Sequence, residues 1–508
     1  MVGPTLNFQE SNMNRLDKLI SYVAPAVASK RMAARLAIEQ FRSYEAAQKN
    51  RRTSHWKTSR GSADAEIEPT LESLRNVSRM MVRNNPYAFN AIDTLTSNVI
   101  GSGIRPNIKS SNEKVAAIVK AAWKKFEDST EADFDGDSTI YGLQEMIART
   151  LFESGECLVI KRKMPSSEKS FLPIRYQVVE PDFIDTEKSY ERIEGGGYIK
   201  QGIEFNSKGK KVAYWLFPEH PGDRSSYFTT SERFPAKDIL HLYRKLRPGQ
   251  LRGVPVGVAS FVRLNDFDDF EQAEIMKQKI ASCLVAFVSG GTDSLPGSDT
   301  TTGNDKEPRN KLAPGIIEYL DPGKEVTVVN PPTNTGQEQF SRQSQRGSAL
   351  GYGLTYENFT GDLSNVNFSS YRGGWIEFSR KNQMLQNNLF IPFFQKMFDW
   401  FLEALFLKEG IDTSSVTISW TAPRREMIDP GKETVAIIDQ ILAGLTSWSE
   451  AAREFGWNPE DLMKQIVDDQ EKFKKLGITV LSDPNNPYSK IGTSLTKAAT
   501  VSKGVKKP

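Results

Sequence analysis

The chain has 508 residues and a mass of 57.0 kDa, too long for one compact core, so about two to four structural units are expected. A composition of 38% hydrophobic and 25% charged residues is that of a folded water-soluble chain and excludes the fibrous and low-complexity classes. The net charge of +3 hides an asymmetry: residues 1–60 carry 11 Lys/Arg against 4 Asp/Glu, a basic arm ahead of a mildly acidic body.

Such an arm suits nucleic acid or an acidic partner surface, with a plain solvated terminus as the alternative. Its residues 26–49 space Met32, Leu36, Phe41 and Tyr44 among Lys30, Arg31, Arg35 and Arg42, the pattern of a short basic amphipathic helix that packs on a neighbouring subunit better than on a membrane. The N-terminus lacks the charged–apolar–small order of a secretion signal. No stretch approaches the roughly 20 apolar residues of a membrane span. Cys157 and Cys283 both sit in apolar runs and read as buried free thiols rather than a disulfide.

After a loop, Glu68-Pro69-Thr70 opens a helix with Leu71, Leu74, Val77, Met81 and Val82 on one face and Arg75, Arg79 and Arg83 as a basic stripe opposite. Pro86 interrupts it, a second helix runs to Ile100, and Gly101 and Gly103 stop that one. Helices are expected at 113–128 and 143–153. From Cys157 to Tyr243 the apolar period drops to two, predicting a β-rich unit with a hairpin turn at 206–209. A long helix is predicted over 255–287, where Phe261, Leu264, Phe267, Phe270, Met276 and Ile280 recur every three or four residues.

Residues 289–310 are rich in Gly, Ser, Thr, Asp and Pro and read as a flexible loop. Short strands follow at 315–320 and 324–330, then a polar helix at 336–350, a polar loop at 351–374 and a long helix at 375–407. Phe390, Phe393, Phe394, Met397, Phe398, Phe401, Leu402, Leu405 and Phe406 leave that last helix only a narrow polar stripe, so protein must wrap most of it. Helices at 433–444, 449–455 and 459–476 precede a lysine-rich tail read as disordered.

Enzyme and metal chemistry finds little support. Asp133, Asp135 and Asp137 resemble a calcium loop, but Ser138 and Gln144 occupy the places of its obligatory Gly and bidentate Glu, so a helix-capping loop is expected. Asp266, Asp268, Asp269, Glu271 and Glu274 could hold Mg²⁺. All five fall on one helix, which suits a solvated face or an acidic lumen better. The three histidines share no context, and no P-loop, zinc-protease or nucleophile-elbow motif occurs. No cofactor is expected.

Between its helices the stretch LTYENFTGDLSNVNFSSYRGG, 354–374, has little aliphatic content and much Asn and Ser. A loop of that length in a compact domain is functional or disordered. Asn358, Thr360, Asp362, Ser364, Asn365, Asn367, Ser369, Ser370 and Arg372 offer weak, sequence-blind bonds to phosphate, and the terminal glycines offer hinge freedom.

The stretch GLTYENFTGDLSNVNFSSYRGGWIEFSR resembles the signature of portal proteins of the lambda-like tailed phages. LRNVSRMMVRNNPYAFNAIDTLTSNVIGSGI, ARTLFESGECLVIKR and ILHLYRKLRPGQLRGVPVGVASFVRLNDFDDFEQAEIMKQKIASCLVAFV resemble further parts of that family, in order over about residues 40–410. The resemblance implies an α+β portal fold with wing, stem, clip and crown regions, assembled as a ring of typically twelve subunits at one capsid vertex. It implies non-specific double-stranded DNA, the terminase large subunit, a head-tail adaptor, and the major capsid and scaffold proteins as partners, with no membrane and no enzymatic activity.

Carried onto this chain, the regions are a basic arm 1–60, wing 61–255, first stem helix 256–288, clip 289–333, second stem helix 334–350, channel loop 351–374, long wing helix 375–410, crown 411–481 and basic tail 482–508. Phe261, Phe267, Asp268, Asp269, Phe270, Glu271, Glu274 and Lys277 would then serve stem packing or face the lumen. Two rival readings remain: another structural connector protein, and a Mg²⁺-dependent nuclease built on the 266–274 carboxylates.

Overall fold

The structure is a computed structural model of the whole chain. It describes residues 20, 22, 24–31, 34, 51–165, 170–223, 230–282, 286–289, 317–320, 336–423 and 426–477. Expectations for the rest of the amphipathic arm, the 289–310 loop, the 324–330 strand, Cys283 and the lysine-rich tail lie outside the described residues. Two compact units are distinguished, residues 1–62 and 63–508. In the first, residues 25–31 are helical with Ala28 buried.

The second unit mixes helices and sheets. It begins with α1 (Ala63–Ile67), α2 (Leu71–Asn84) and α3 (Pro86–Val99). Asn85 lies extended between the last two and accepts from the backbone N–H groups of Tyr87 and Ala88, so one residue ends a helix and caps the next. A strand, β1 (Arg105–Ser110), precedes α4 (Glu113–Glu127) and α5 (Ile140–Ser154). Asp133 accepts from the backbone N–H groups of Asp135, Asp137 and Ser138, which makes this acidic stretch the expected capping loop ahead of α5.

The β-rich unit follows. β2 (Glu156–Lys163) lies between β3 (Ile174–Val179) and the later β9 (Ile239–Tyr243), antiparallel to both. A five-stranded antiparallel meander contains β4 (Arg192–Ile193), β5 (Gly197–Lys200), β6 (Ile203–Phe205), β7 (Lys211–Leu216) and β8 (Glu232–Pro235). The 206–209 hairpin is present, closed by Gly209 N–H to Asn206 O with Gly209 at φ 75°. β2 is buried on both faces. Cys157 and Val159 join the helical core, while Leu158 and Ile160 join the core of the meander, as the period of two requires. Cys157 is a free, buried thiol, and burial pushes its ionisation well up.

After β9 come α6 (Phe261–Ser282), β10 (Ala286–Ser289) and β11 (Ile317–Leu320), the two strands pairing in parallel. The helix expected from 255 to 287 is therefore shorter at both ends. Residues 256–260 form turns, with Gly257 against the ring of Tyr352 where a Cβ would collide, and the apolar run at 286–289 extends as a strand.

α7 (Gln337–Tyr352) runs antiparallel to α6: the Ser260 hydroxyl donates to Ser348 O at 2.8 Å, Gly347 lies beside Arg263, and Phe270 packs on Phe340. A short α8 (Tyr356–Thr360), α9 (Phe368–Leu385) and α10 (Ile391–Glu409) complete the helical layer. Residues Gln386–Phe390 join the last two as a π-helical turn. Pro392 cannot donate to the carbonyl four residues back, and the widened turn accommodates it. α10 is wrapped as expected: Phe398 and Phe401 lie within 5 Å of Trp123, and Tyr176 donates its hydroxyl to Met397 O.

A strand not anticipated from sequence, β12 (Val416–Thr421), pairs antiparallel with β1, itself unanticipated. The chain then forms α11 (Pro430–Leu442), α12 (Trp448–Glu454) and α13 (Pro459–Leu476).

Candidate functional site

The unusual 354–374 stretch divides into three parts. Thr355 caps α8 by accepting from Asn358 N–H, and Asn367 caps α9 by accepting from Ser370 N–H at 2.8 Å. Leu354 and Thr355, ahead of α8, and 361–367 lie outside a helix, and most of 361–367 is exposed.

Asn358 and Thr360 are thus half-buried helical residues, Thr360 donating its hydroxyl to Tyr356 O. Ser369, Ser370 and Arg372 belong to the first turns of α9. The expected hinge is absent: Gly373 and Gly374 sit inside that helix. The loop reading therefore narrows to 361–367 plus the exposed start of α9, because Asn and Ser serve here as helix caps.

The base of this segment is rigidly held. Asn90 on α3 donates from its amide nitrogen to the carbonyls of Asn358 at 3.0 Å and Phe359 at 2.9 Å. Phe359 is fully buried against Tyr87, 5.7 Å between ring centroids, and Tyr352, 5.8 Å. Asp362 accepts from the Tyr356 hydroxyl at 3.1 Å and from both the N–H and hydroxyl of Ser364; these bonds, with Arg342 4.0 Å away, hold its carboxyl below the usual range. The Asn365 side-chain amide lies beside Arg342, and assigning its oxygen to that side lets it accept from the guanidinium at 2.9 Å. The one acid is so engaged, and Ser364, Asn365, Asn367, Ser369 and Ser370 present neutral groups, with Arg372 a single exposed cation.

The α6 carboxylates do not form one site. Asp266 and Asp269 are exposed, and Asp268 is half-buried. Glu271 accepts from the Tyr87 hydroxyl, and burial together with the Asp268 charge pushes its carboxyl up. Glu274 is buried and accepts from Gln278 at 3.0 Å, with Lys277 3.4 Å away. Glu271 and Glu274 border a groove shared with Gln337 and Ser341 of α7. Phe261 and Phe267 are buried within the subunit, Phe267 between Tyr87 and Phe270. An Asp at either position would therefore break the fold before it tested assembly.

Sequence reasoning missed the strongest electrostatic feature. Glu156, fully buried at the start of β2, accepts from Arg252 at 2.6 Å, Arg75 at 3.2 Å, His241 at 2.9 Å and Gly253 N–H at 3.0 Å. Burial opposes its charge, but Arg252 and these bonds prevail and hold the carboxyl far below its ordinary range. His241 is pushed down to about 4 by burial and donates as a neutral imidazole. Arg75 is accordingly not part of an exposed basic stripe: it is buried, bridging Glu156 and Asp182. The nearest signal in the sequence was the acid Glu156 heading the apolar run 157–160.

Among the described residues, only Glu180, Asp182 and His220 could converge on a metal. Arg79 already lies 2.8 Å from Glu180 and bonds Asp182, supplying the cation. No described helix is long and apolar enough to cross a membrane.

Comparison with known proteins shows the family of this chain. The model of the phage portal proteins of the lambda family matches residues 49–386, well over half of the chain, and the chain belongs to that family. It is 25% identical over 473 residues to the probable portal protein of Halomonas phage phiHAP-1, covering 88% of this chain and 89% of that one. It is 21% identical over 476 residues to portal protein B of Escherichia phage lambda, covering 83% and 88%. A chain in the virion of a native gene transfer agent particle is a more distant match, with a TM-score of 0.42, 14% identity and coverage of 77% and 94%.

Proposed function

We propose that the chain is one subunit of a closed ring, typically of twelve copies, that forms the DNA doorway at one vertex of a phage head. In that reading 61–255 with 375–410 is the wing, α6 and α7 are the stem, 289–333 is the clip that meets the terminase large subunit and later the head-tail adaptor, and 411–481 is the crown. The ring assembles in the host cytoplasm with the major capsid and scaffold proteins and ends in the virion. It holds DNA after packaging, releases it on ejection, and performs no catalytic step.

The observation that carries the reading is the exposed, nearly uncharged surface of 361–370 on a rigid base. Each phosphate neutralised by Lys or Arg adds sequence-independent affinity, which would brake a moving duplex. Neutral hydroxyls and amides, with Asp362 engaged internally, give a wall that touches DNA of any sequence without gripping it. Deleting 363–366 tests this: rings should still form, while DNA retention or packaging falls; full-length packaging and normal retention would refute it.

A further inference from the structure

We propose that α11 of one copy of this chain packs its exposed apolar stripe onto α13 of the next, so that 430–477 completes its core only between copies. Within one copy that stretch is poorly filled. Among the described residues no side chain of α11 is buried, and α13 buries only Pro459. To these α12 adds Ala451 and Ala452. So small a core does not hold three helices on its own. An open groove of about 300 Å³ lies between them, lined by Ile437, Ile441, Trp448, Phe455 and Leu462.

What is left uncovered has an order. Val435, Ile438 and Leu442 of α11, with Leu445 just past its end, are 58%, 49%, 80% and 80% exposed. On α13 the matching run is Met463, Ile466, Gln470 and Phe473, the first two 48% and 41% exposed. Both runs step by three, four and three residues, the spacing by which helices interlock side chains along a seam. With Trp457, Val467 and Leu476, also exposed, the unit leaves on the order of 1,000 Å² of apolar surface open, whereas a typical monomer carries ~300–600 Å² in its largest patch. One side of a standard interface takes about 800 Å². The occupant is a second copy because each unit carries both halves of the seam. Two unlike surfaces on one subunit make a head-to-tail contact, which repeats until a ring closes. The inference rests on the ring proposed above, in which 430–477 falls in the crown.

The test uses the full-length protein with Leu442→Cys and Ile466→Cys in a Cys283→Ser background, treated with a bis-maleimide that reaches across two helical turns, about 11 Å. Covalent ladders of two and more copies are expected from the double variant, and neither single variant should form them. Leu442→Asp changes a side chain that is 80% exposed within its own copy, so the subunit should fold unchanged by circular dichroism. Its ring yield at fixed concentration should fall about tenfold. Rings seen by electron microscopy that give no ladder, or that form undiminished with Leu442→Asp, would overturn the seam while the ring reading stands. Ladders from Leu442→Cys alone would overturn it as well, since like surfaces would then be meeting. An unsubstituted chain that stays monomeric would sink the ring reading itself, and the seam with it.

Discussion

Phe270 and Phe340 meet with ring centroids 4.7 Å apart and planes inclined at 58°, each from one of two antiparallel helices. The contact fixes the register of α6 against α7 well beyond the point where Ser260 bonds Ser348. Such tilted aromatic pairs contribute about 0.5–1.5 kcal/mol beyond the area they bury. A double-mutant cycle with Phe270→Ala and Phe340→Ala should return a coupling of that size in chemical denaturation; additive single effects would show that the helices are held elsewhere.

Closer to the helical layer the same pair is locked by a missing side chain. A methyl on Gly351 would fall on the Ser260 hydroxyl and 2.9 Å from its Cβ. Gly351→Ala should therefore destabilise by about 1–3 kcal/mol. Adding Ser260→Gly should recover part of that loss, since it removes the atoms struck.

The buried Glu156 cluster sets the pH response of the fold. Glu156→Ala should cost about 3–5 kcal/mol, because it strands Arg252 and Arg75 without their counter-charge. His241 titrates near 4 when folded, against an ordinary value of about 6.5, so the unfolded chain binds more protons between those limits. Its contribution is complete above pH 6.5 and is lost as pH falls toward 4, by about 3 kcal/mol in all. Unfolding midpoints measured across that window should decline in the native protein and decline less steeply in His241→Gln.

Asn90 holds the base of the neutral segment through two carbonyls. Asn90→Ala should cost only about 1–2 kcal/mol in stability. It should nevertheless raise hydrogen exchange across 358–367; unchanged exchange would show that Phe359 alone positions the segment.

Much of this organisation was legible in the sequence. The period of 3.6 identified α2 to α5 and the wrapped α10, and the period of two identified β2, β3, β7 and β9. The start of α6 was not legible, because the apolar spacing continues unbroken through 256–260, where the chain forms turns instead. Arg75 was misplaced for the same reason: its spacing matched Arg79 and Arg83, while its partner Glu156 lies on another element. β1 was obscured by Pro106, Asn107 and Lys109, residues that strands disfavour, and pairing with β12 overrides that preference. Within the candidate segment the signal was present and misread. Thr355 and Asn367 each stand three residues ahead of the N–H they cap, a helix-start pattern that composition alone reads as loop.

The central claim is that copies of this chain close around a bore lined by 361–370. Electron cryo-microscopy of the purified full-length protein tests it most directly. Closed annuli with Ser364 and Asn365 facing the central opening are the expected result. A protein that stays monomeric at high concentration, or an annulus that carries 361–370 on its outer wall, would contradict it.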